Sequence, residues 1–162
     1  MGKKSLCALS AFVLAFALLA APFAQATEVT RESYKEAVEP ICKTNVQANE
    51  RILKNVRANV KADKLKLASS QFTKAAEALH KAIPKLKAVP QPTADQANLA
   101  KWLKYIGEEE GFFVKIAQKL KAGDKNGATA MQIRLSHTAN LANNQVLAFE
   151  FKYCRVEPSK FS

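Results

Sequence analysis

The sequence predicts an all-α protein: an up-down-up-down four-helix bundle with one disulfide, preceded by a cleaved signal peptide. Three observations indicate this fold class. Apolar residues recur at the three- and four-residue spacing of an amphipathic helix in four successive segments. No run of four or more residues alternates convincingly between apolar and polar side chains, as a half-buried strand would. Short connections join the segments, which favours antiparallel neighbours in a bundle.

The first 26 residues have the organisation of a signal peptide. Two lysines precede an apolar run over 6–21, and an Ala-x-Ala site ending at Ala26 offers the small residues that a signal peptidase recognises. An uncleaved membrane anchor is the alternative, but the run is shorter than the roughly 20 residues that span a bilayer. We expect cleavage after Ala26, leaving a secreted or periplasmic protein without a transmembrane anchor and one bundle domain over 27–162.

The predicted mature chain is strongly basic. Removing the leader with its two lysines lowers the formal net charge from +11 to +9. Seven lysines lie between Lys61 and Val89 against two acidic residues, and most project away from the apolar stripe. A solvated face explains this pattern, and the alternative is attraction to an anionic envelope polymer or lipid surface. We expect no nucleic acid partner, because the protein is exported and arginines do not interleave with aromatic residues.

The first two helical segments each carry an apolar stripe and one proline. The first runs over about 30–61 and contains Pro40, and the second runs over about 64–88 and contains Pro84. Proline removes a backbone donor and clashes with the preceding turn, so we expect Pro40 to kink or divide the first helix and Pro84 to bend the second. The stripe of the second helix comprises Leu65, Ala68, Phe72, Ala76, Leu79, Ile83 and Leu86.

Local signals mark the ends of the third and fourth helices. Thr93 and Gln96 form a Thr-x-x-Gln capping box at the start of the third helix, and Gly123 stands where a left-handed residue would end it. Asp124 can cap the fourth helix, which is predicted over about 126–152. The stripe of the third helix comprises Leu99, Trp102, Ile106, Glu109, Phe113, Ile116 and Leu120.

Two cysteines, Cys42 and Cys154, remain once Cys7 has left with the leader. In the oxidising compartment to which export leads, an even pair indicates a disulfide rather than two thiols. The start of helix one and the end of helix four lie at the same end of an up-down-up-down bundle, and these are the places where the two cysteines stand. Export and topology therefore predict the same Cys42–Cys154 bond independently.

Several short motifs stand out along the mature chain. They are Glu-Pro-Ile-Cys ending at Cys42, Val-Pro-Gln-Pro ending at Pro92, the run from His137 to Asn144, and Tyr-Cys ending at Cys154. Together they resemble those of small exported bacterial helical-bundle proteins of no assigned activity. The resemblance covers most of the mature chain and implies a fold and a compartment rather than a reaction.

The architecture is also similar to that of cytochrome and ferritin-like bundles, whose ligand motifs are incomplete here. Di-iron bundles use two Glu-x-x-His motifs and two further glutamates. This chain has Glu77 with His80 only, and Arg134 stands three residues before His137. A non-covalent haem needs His or Met ligands that face the core, and Met131 alone meets this condition. We therefore expect no metal and no cofactor.

Polar residues close to the apolar stripes form a candidate site. Its members are Asn45, Asn49, Glu109, His137, Asn140 and Asn144. Glu109 occupies a core position of the third helix, where a carboxylate is costly unless it is paired, hydrogen-bonded or protonated. Glu109 and His137 are each 14 residues from Gly123, so a helical hairpin would place them at the same level.

The candidate polar site has two interpretations. It can be a structural layer that fixes helix register, as a buried asparagine does in coiled coils, or it can border a small binding pocket. Counting from the predicted disulfide places Asn45 nearer to Phe149 than to His137. This spacing argues against one compact site that uses all six residues.

No catalytic motif accompanies the candidate site. The sequence has no Ser-His-Asp order, Gly-rich phosphate loop or metalloprotease motif. An enzyme would have to use His137 and Glu109 as an acid–base pair, without an identifiable nucleophile or oxyanion donor. The sequence therefore predicts a non-enzymatic binding or structural module of the cell envelope or extracellular space. The alternative is a small-molecule or metal-binding bundle with a polar site around Glu109 and His137.

Overall fold

The computed structural model describes residues 28–157. The predicted signal peptide, residues 1–26, lies outside the described residues, as does the end of the chain from 158 onward. Within 28–157 the protein is all-helical and contains no strand, which confirms the prediction of an all-α protein. The helices are α1 (Arg31–Ile52), α2 (Val56–Lys61), α3 (Leu65–Ala88), α4 (Gln96–Lys121) and α5 (Lys125–Gln145), with short 3₁₀ turns at Thr93–Asp95 and Leu147–Phe149.

The first predicted helix is divided, but not at Pro40, so of the two alternatives predicted for this proline the division is wrong. α1 continues through Pro40, and the helix stops at 53–55, where Asn55 adopts a left-handed φ of 64°. Asparagine tolerates this conformation better than most residues. The Gln71 side chain of α3 fixes the break, because its Nε2 donates to two carbonyl oxygens there, at 2.7 and 2.9 Å. Tertiary hydrogen bonds, rather than the proline, therefore end α1.

The connection between α4 and α5 follows the prediction, whereas the start of α4 does not. Gly123 has a left-handed φ of 80° after α4, and the Asp124 side chain accepts a hydrogen bond from the Gly127 N–H at 2.7 Å. The predicted capping box at Thr93 is wrong, because this residue lies in a 3₁₀ turn with no side-chain cap. A capping box is found instead at Thr30, at the start of α1.

Asp95, at the junction of the 3₁₀ turn and α4, links this turn to the start of α1. Its buried carboxylate accepts two hydrogen bonds from the Arg31 guanidinium, both at 2.8 Å. These bonds hold the pKa of Asp95 below its usual value. A bidentate pair of this kind has a defined geometry, so it fixes where α1 begins relative to α4.

The fourth predicted helix ends earlier than expected. α5 stops at Gln145, the chain turns through 147–149, and Glu150 adopts a left-handed φ of 50°. Residues two apart on an α-helix do not share a face, yet Phe149 and Phe151 are both buried, with ring centroids 5.1 Å apart. Leaving the helix allows both rings to enter the core, where Phe151 also lies 5.8 Å from Trp102.

α4 lies at the centre of the helical packing. It packs along both α3 and α5, whereas α1 packs against α3 and contacts the 3₁₀ turn after α5. All seven residues of the predicted α4 stripe are buried, so the register predicted for this helix is confirmed. None of the helices within 28–157 is both long and apolar enough to span a membrane.

The predicted disulfide is present between Cys42 of α1 and Cys154. The two Cα atoms are 5.1 Å apart, and the residues are separated by 112 positions in the sequence. Both cysteines are buried. The bond attaches residues 151–157, which we call the C-terminal segment, to the middle of α1.

Two further side chains hold the C-terminal segment. Glu39 of α1 accepts hydrogen bonds from the backbone N–H groups of Lys152 and Tyr153. Asn143 of α5 acts like a backbone partner: its Nδ2 donates to the Val156 carbonyl, and its Oδ1 accepts from the Val156 N–H, both at 2.9 Å. The C-terminal segment is therefore fixed against α1 and α5 although it is not helical.

Candidate functional site

A cavity of about 360 Å³ lies between α1, α3, α4 and the C-terminal segment. Its wall is mainly apolar, and the buried apolar residues that form it include Leu79, Leu86, Trp102, Ile106 and Phe113. Three polar residues of the predicted site also line it: Asn45, Asn49 and Glu109. The volume falls within the range of about 300–1,000 Å³ that is typical of ligand pockets.

Glu109 is the buried ionisable residue of this wall. It is 3% exposed, and its Oε1 atom has no hydrogen-bond partner among the described residues. Burial raises the pKa of Glu109 to about 8, because the charged form loses its hydration. At neutral pH the side chain is therefore mainly a neutral carboxyl group, which can donate one hydrogen bond and accept others.

The two asparagines follow each other by one turn of α1 and satisfy each other only in part. Asn49 Nδ2 donates to Asn45 Oδ1 at 3.3 Å, which leaves Asn45 Nδ2 and Asn49 Oδ1 without a partner in the described part of the chain. Trp102 Nε1 is likewise unpartnered. The residues around the cavity thus have two free donors, one free acceptor and the Glu109 carboxyl group.

These unpartnered atoms are unusual because a buried polar group without a hydrogen bond costs about 1–3 kcal/mol. Most buried polar groups in folded proteins are therefore paired. Four of the five such side-chain atoms in the described chain belong to residues that line this cavity; the fifth, the Tyr34 hydroxyl, does not. Four residues of the cavity wall therefore carry hydrogen-bonding capacity that the fold itself does not use.

The other half of the predicted polar site lies elsewhere. His137, Asn140 and Asn144 are exposed on α5, and none of them lines the cavity. The packing of α5 buries Leu135 and Ala139 and so turns these polar residues outward. α5 contributes no residue to the cavity wall.

Sequence reasoning missed the contribution of the C-terminal segment. Residues 152–157 line the cavity, although the chain there was predicted to continue the fourth helix or to form a short tail. The two-residue spacing of Phe149 and Phe151 was the available signal, since two large aromatic side chains at that spacing cannot share one helical face. The unpartnered indole N–H of Trp102 had no signal in the sequence.

The Glu77 and His80 motif does not form a metal centre in this structure. His80 Nδ1 lies 2.9 Å from Glu110 Oε1 of α4, and the histidine side chain is exposed. Over residues 28–157, no group of three or more His, Cys, Asp or Glu residues could hold a metal ion. His80 instead connects the solvent-facing sides of α3 and α4.

No protein-family model matches the chain, and neither does any curated protein or solved structure at a significant level. The candidate site rests on the residues and distances described above.

Proposed function

We propose that this protein binds a small, mainly apolar ligand in the cavity between α1, α3, α4 and the C-terminal segment, and that it does so outside the cytoplasm. The observation that carries the proposal is the set of unpartnered polar atoms of Asn45, Asn49, Trp102 and Glu109 around one cavity. A structural polar layer would have these side chains satisfied by one another. A ligand that hydrogen-bonds to them would recover the cost of leaving them unpaired.

The proposal is of binding rather than catalysis. Acid–base and nucleophilic catalysis both need partner groups within hydrogen-bond reach. Among the described residues, Glu109 has no such partner for Oε1, and the exposed His137 does not line the cavity. A lone buried carboxyl group suits ligand recognition better than a reaction.

We further infer export, and an up-down-up-down order of the four long helices. Export is supported by the signal-peptide pattern of residues 1–26 and agrees with the disulfide. The helix order is supported by the short connections on either side of α4. Both inferences agree with the resemblance to small exported helical-bundle proteins.

Ligand binding can be tested with the single tryptophan of the chain, Trp102, which lines the cavity. We expect saturable energy transfer from Trp102 to N-phenylnaphthylamine, a neutral apolar fluorophore. Ala82→Leu should weaken this transfer, because Ala82 is a buried residue of the cavity wall and a larger side chain would occupy part of the space.

Ala100→Leu is the matched control, since it makes the same change at an exposed position of α4 outside the cavity. It should bind the fluorophore like the parent protein, and circular dichroism should confirm that both variants fold. Absence of saturable transfer in the parent would refute the proposed function. Equal transfer in the Ala82→Leu variant would place the fluorophore outside the cavity.

A second candidate function is attachment to an anionic envelope polymer or lipid surface. It is favoured by one observation: all seven lysines between 61 and 89 are exposed. We expect the protein to bind phosphatidylglycerol vesicles at low salt and to leave them as the Debye length shortens from about 10 Å near 0.1 M to about 3 Å near 1 M. Sedimentation with the vesicles measures this, and neutral vesicles are the control. Binding that is unaffected by salt would rule out attraction by the lysines.

A further inference from the structure

We propose that the cavity ligand is an organic ammonium compound, a primary or secondary amine on an apolar body, whose charged group pairs with Glu109. This inference rests on the proposed binding function and adds the charge and the chemical class of the ligand. It follows from three features of the cavity: its buried charge-bearing group, its unpartnered acceptors and its apolar wall.

The first feature is the isolation of the Glu109 carboxyl group. α3 contributes only apolar residues to the cavity wall, and α4 contributes no other charged residue. The remaining charged residues of the wall are exposed to solvent: Glu50 on α1, and Lys152, Arg155 and Glu157 in the C-terminal segment. Tyr153 is the other titratable residue of the wall. A buried carboxylate needs a cation close to it, and a bound ammonium group would supply one.

The second feature is the set of acceptors. An ammonium group donates hydrogen bonds and accepts none. Two residues of the cavity wall carry unpartnered oxygen atoms, Glu109 Oε1 and Asn49 Oδ1, and these are the acceptors that we assign to the ammonium group. The unpartnered donors, Asn45 Nδ2 and Trp102 Nε1, would then serve a hydroxyl or carbonyl oxygen elsewhere on the ligand.

The third feature is the apolar part of the wall. Leu79, Leu86 and Ile106 can pack against a hydrocarbon body. Trp102 and Phe113 add aromatic rings, which attract alkylammonium groups more strongly than aliphatic side chains do. An amine with an aromatic or branched alkyl body would contact both kinds of surface.

Binding of a cation should be coupled to loss of a proton. Burial raises the pKa of Glu109 to about 8 in the free protein, so an ammonium ligand that binds the carboxylate at neutral pH must displace the proton. Its affinity should rise about tenfold per pH unit between about pH 6 and 7 and level off above pH 8. A neutral ligand that accepts a hydrogen bond from the protonated carboxyl group would show the opposite trend above pH 8.

The experiment measures displacement of N-phenylnaphthylamine by phenylethylamine and by its neutral counterpart, phenylethanol. The amine stays protonated over this range, since alkyl amines titrate near pH 10 like lysine. We expect the amine to displace the fluorophore at least about tenfold more effectively than the alcohol at pH 8, the ratio expected for a hydrogen bond to a charged group. Calorimetry in two buffers of different ionisation enthalpy should show close to one proton released per amine bound at pH 7.

Glu109→Gln should lose both the preference for the amine and its pH dependence, with each displacement measured against the variant's own affinity for the fluorophore. Glu108→Gln, at an exposed position of α4 outside the cavity, is the matched control and should keep both. Two results would overturn the inference: equal displacement by amine and alcohol in the parent, or an amine preference that survives Glu109→Gln. In either case, binding of the fluorophore by the parent would leave the proposed function standing.

Two outcomes remain decisive without the variants. If Glu109→Gln does not fold, proton release by the parent protein still tests the inference, and amine binding without proton release overturns it. If the parent does not bind the fluorophore, the proposed function fails, and the inference fails with it.

Discussion

Loss of the Cys42–Cys154 bond is expected to lower the free energy of unfolding by about 4–5 kcal/mol, according to the chain-entropy estimate for a loop of this length. The physical reason is the separation of 112 residues between the cysteines. A cross-link over so long a loop removes many conformations from the unfolded chain and few from the folded one. Native proteins of this size are stable by only about 5–15 kcal/mol, so the bond is expected to supply a large share.

The measurement compares denaturant unfolding of the parent with that of the Cys42→Ser, Cys154→Ser double variant. The parent in reducing agent is the matched control, and its midpoint should fall to that of the double variant. Unchanged midpoints in both cases would show that the disulfide contributes no stability.

The same variant tests how the cavity wall is held. Cys42 and Cys154 both line the cavity, and without their bond the C-terminal segment keeps the hydrogen bonds to Glu39 and Asn143. We therefore expect faster amide exchange at the C-terminal segment than at the centre of α4, which is packed on both sides.

The parts of the fold that the sequence predicted correctly depend on strong periodic signals. The α4 stripe has apolar residues at nearly every third or fourth position, and its residues are buried as expected. The left-handed Gly123 and the Asp124 cap were predictable because each depends on one residue type with a local physical role. The disulfide was predictable from the number of cysteines and the predicted compartment.

The parts that were wrong depend on tertiary contacts. Proline at position 40 costs α1 one backbone donor, and the helix tolerates it. The helix ends at 53–55 instead, where Gln71 of α3 donates hydrogen bonds to two backbone carbonyl groups. No local pattern in α1 predicts this contact. The end of α5 likewise depends on burying Phe149 and Phe151 together, which outweighs continuing the helix.

The candidate site was half predictable for a geometric reason. Distance from the Gly123 turn gives the height of a residue along a helical hairpin, and it says nothing about rotation around the helix axis. Glu109 belongs to a clear apolar stripe, so both its height and its direction could be inferred. His137 has the same distance from the turn, but it lies on the exposed side of α5. Which polar atoms stay unpartnered depends on such rotations.

Glu109 is expected to make the protein less stable as the pH rises from about 5 to about 8. In the unfolded chain its carboxyl group titrates near its ordinary pKa of 4.5, whereas burial raises the pKa in the folded protein to about 8. Between these values the folded state binds a proton that the unfolded state has lost. The free energy of unfolding therefore falls as the pH rises. The stabilisation that comes from protonated Glu109 is complete below the pKa of the unfolded chain and is lost as the pH rises through the pKa of the folded protein.

The full effect is on the order of 5 kcal/mol, because the two pKa values differ by about 3.5 units and each unit corresponds to about 1.4 kcal/mol. Glu109→Leu should remove this dependence and raise the free energy of unfolding at pH 8, since it deletes a buried charge that has no cationic partner. Glu108→Gln, one position away and exposed, should leave the pH dependence of the parent unchanged. Urea unfolding of the three proteins at pH 5 and pH 8 measures these differences. If the parent and Glu109→Leu lose stability in parallel over this range, the carboxyl group at position 109 is ionised in the folded protein, and the cavity already provides the counter-charge that we assign to the ligand.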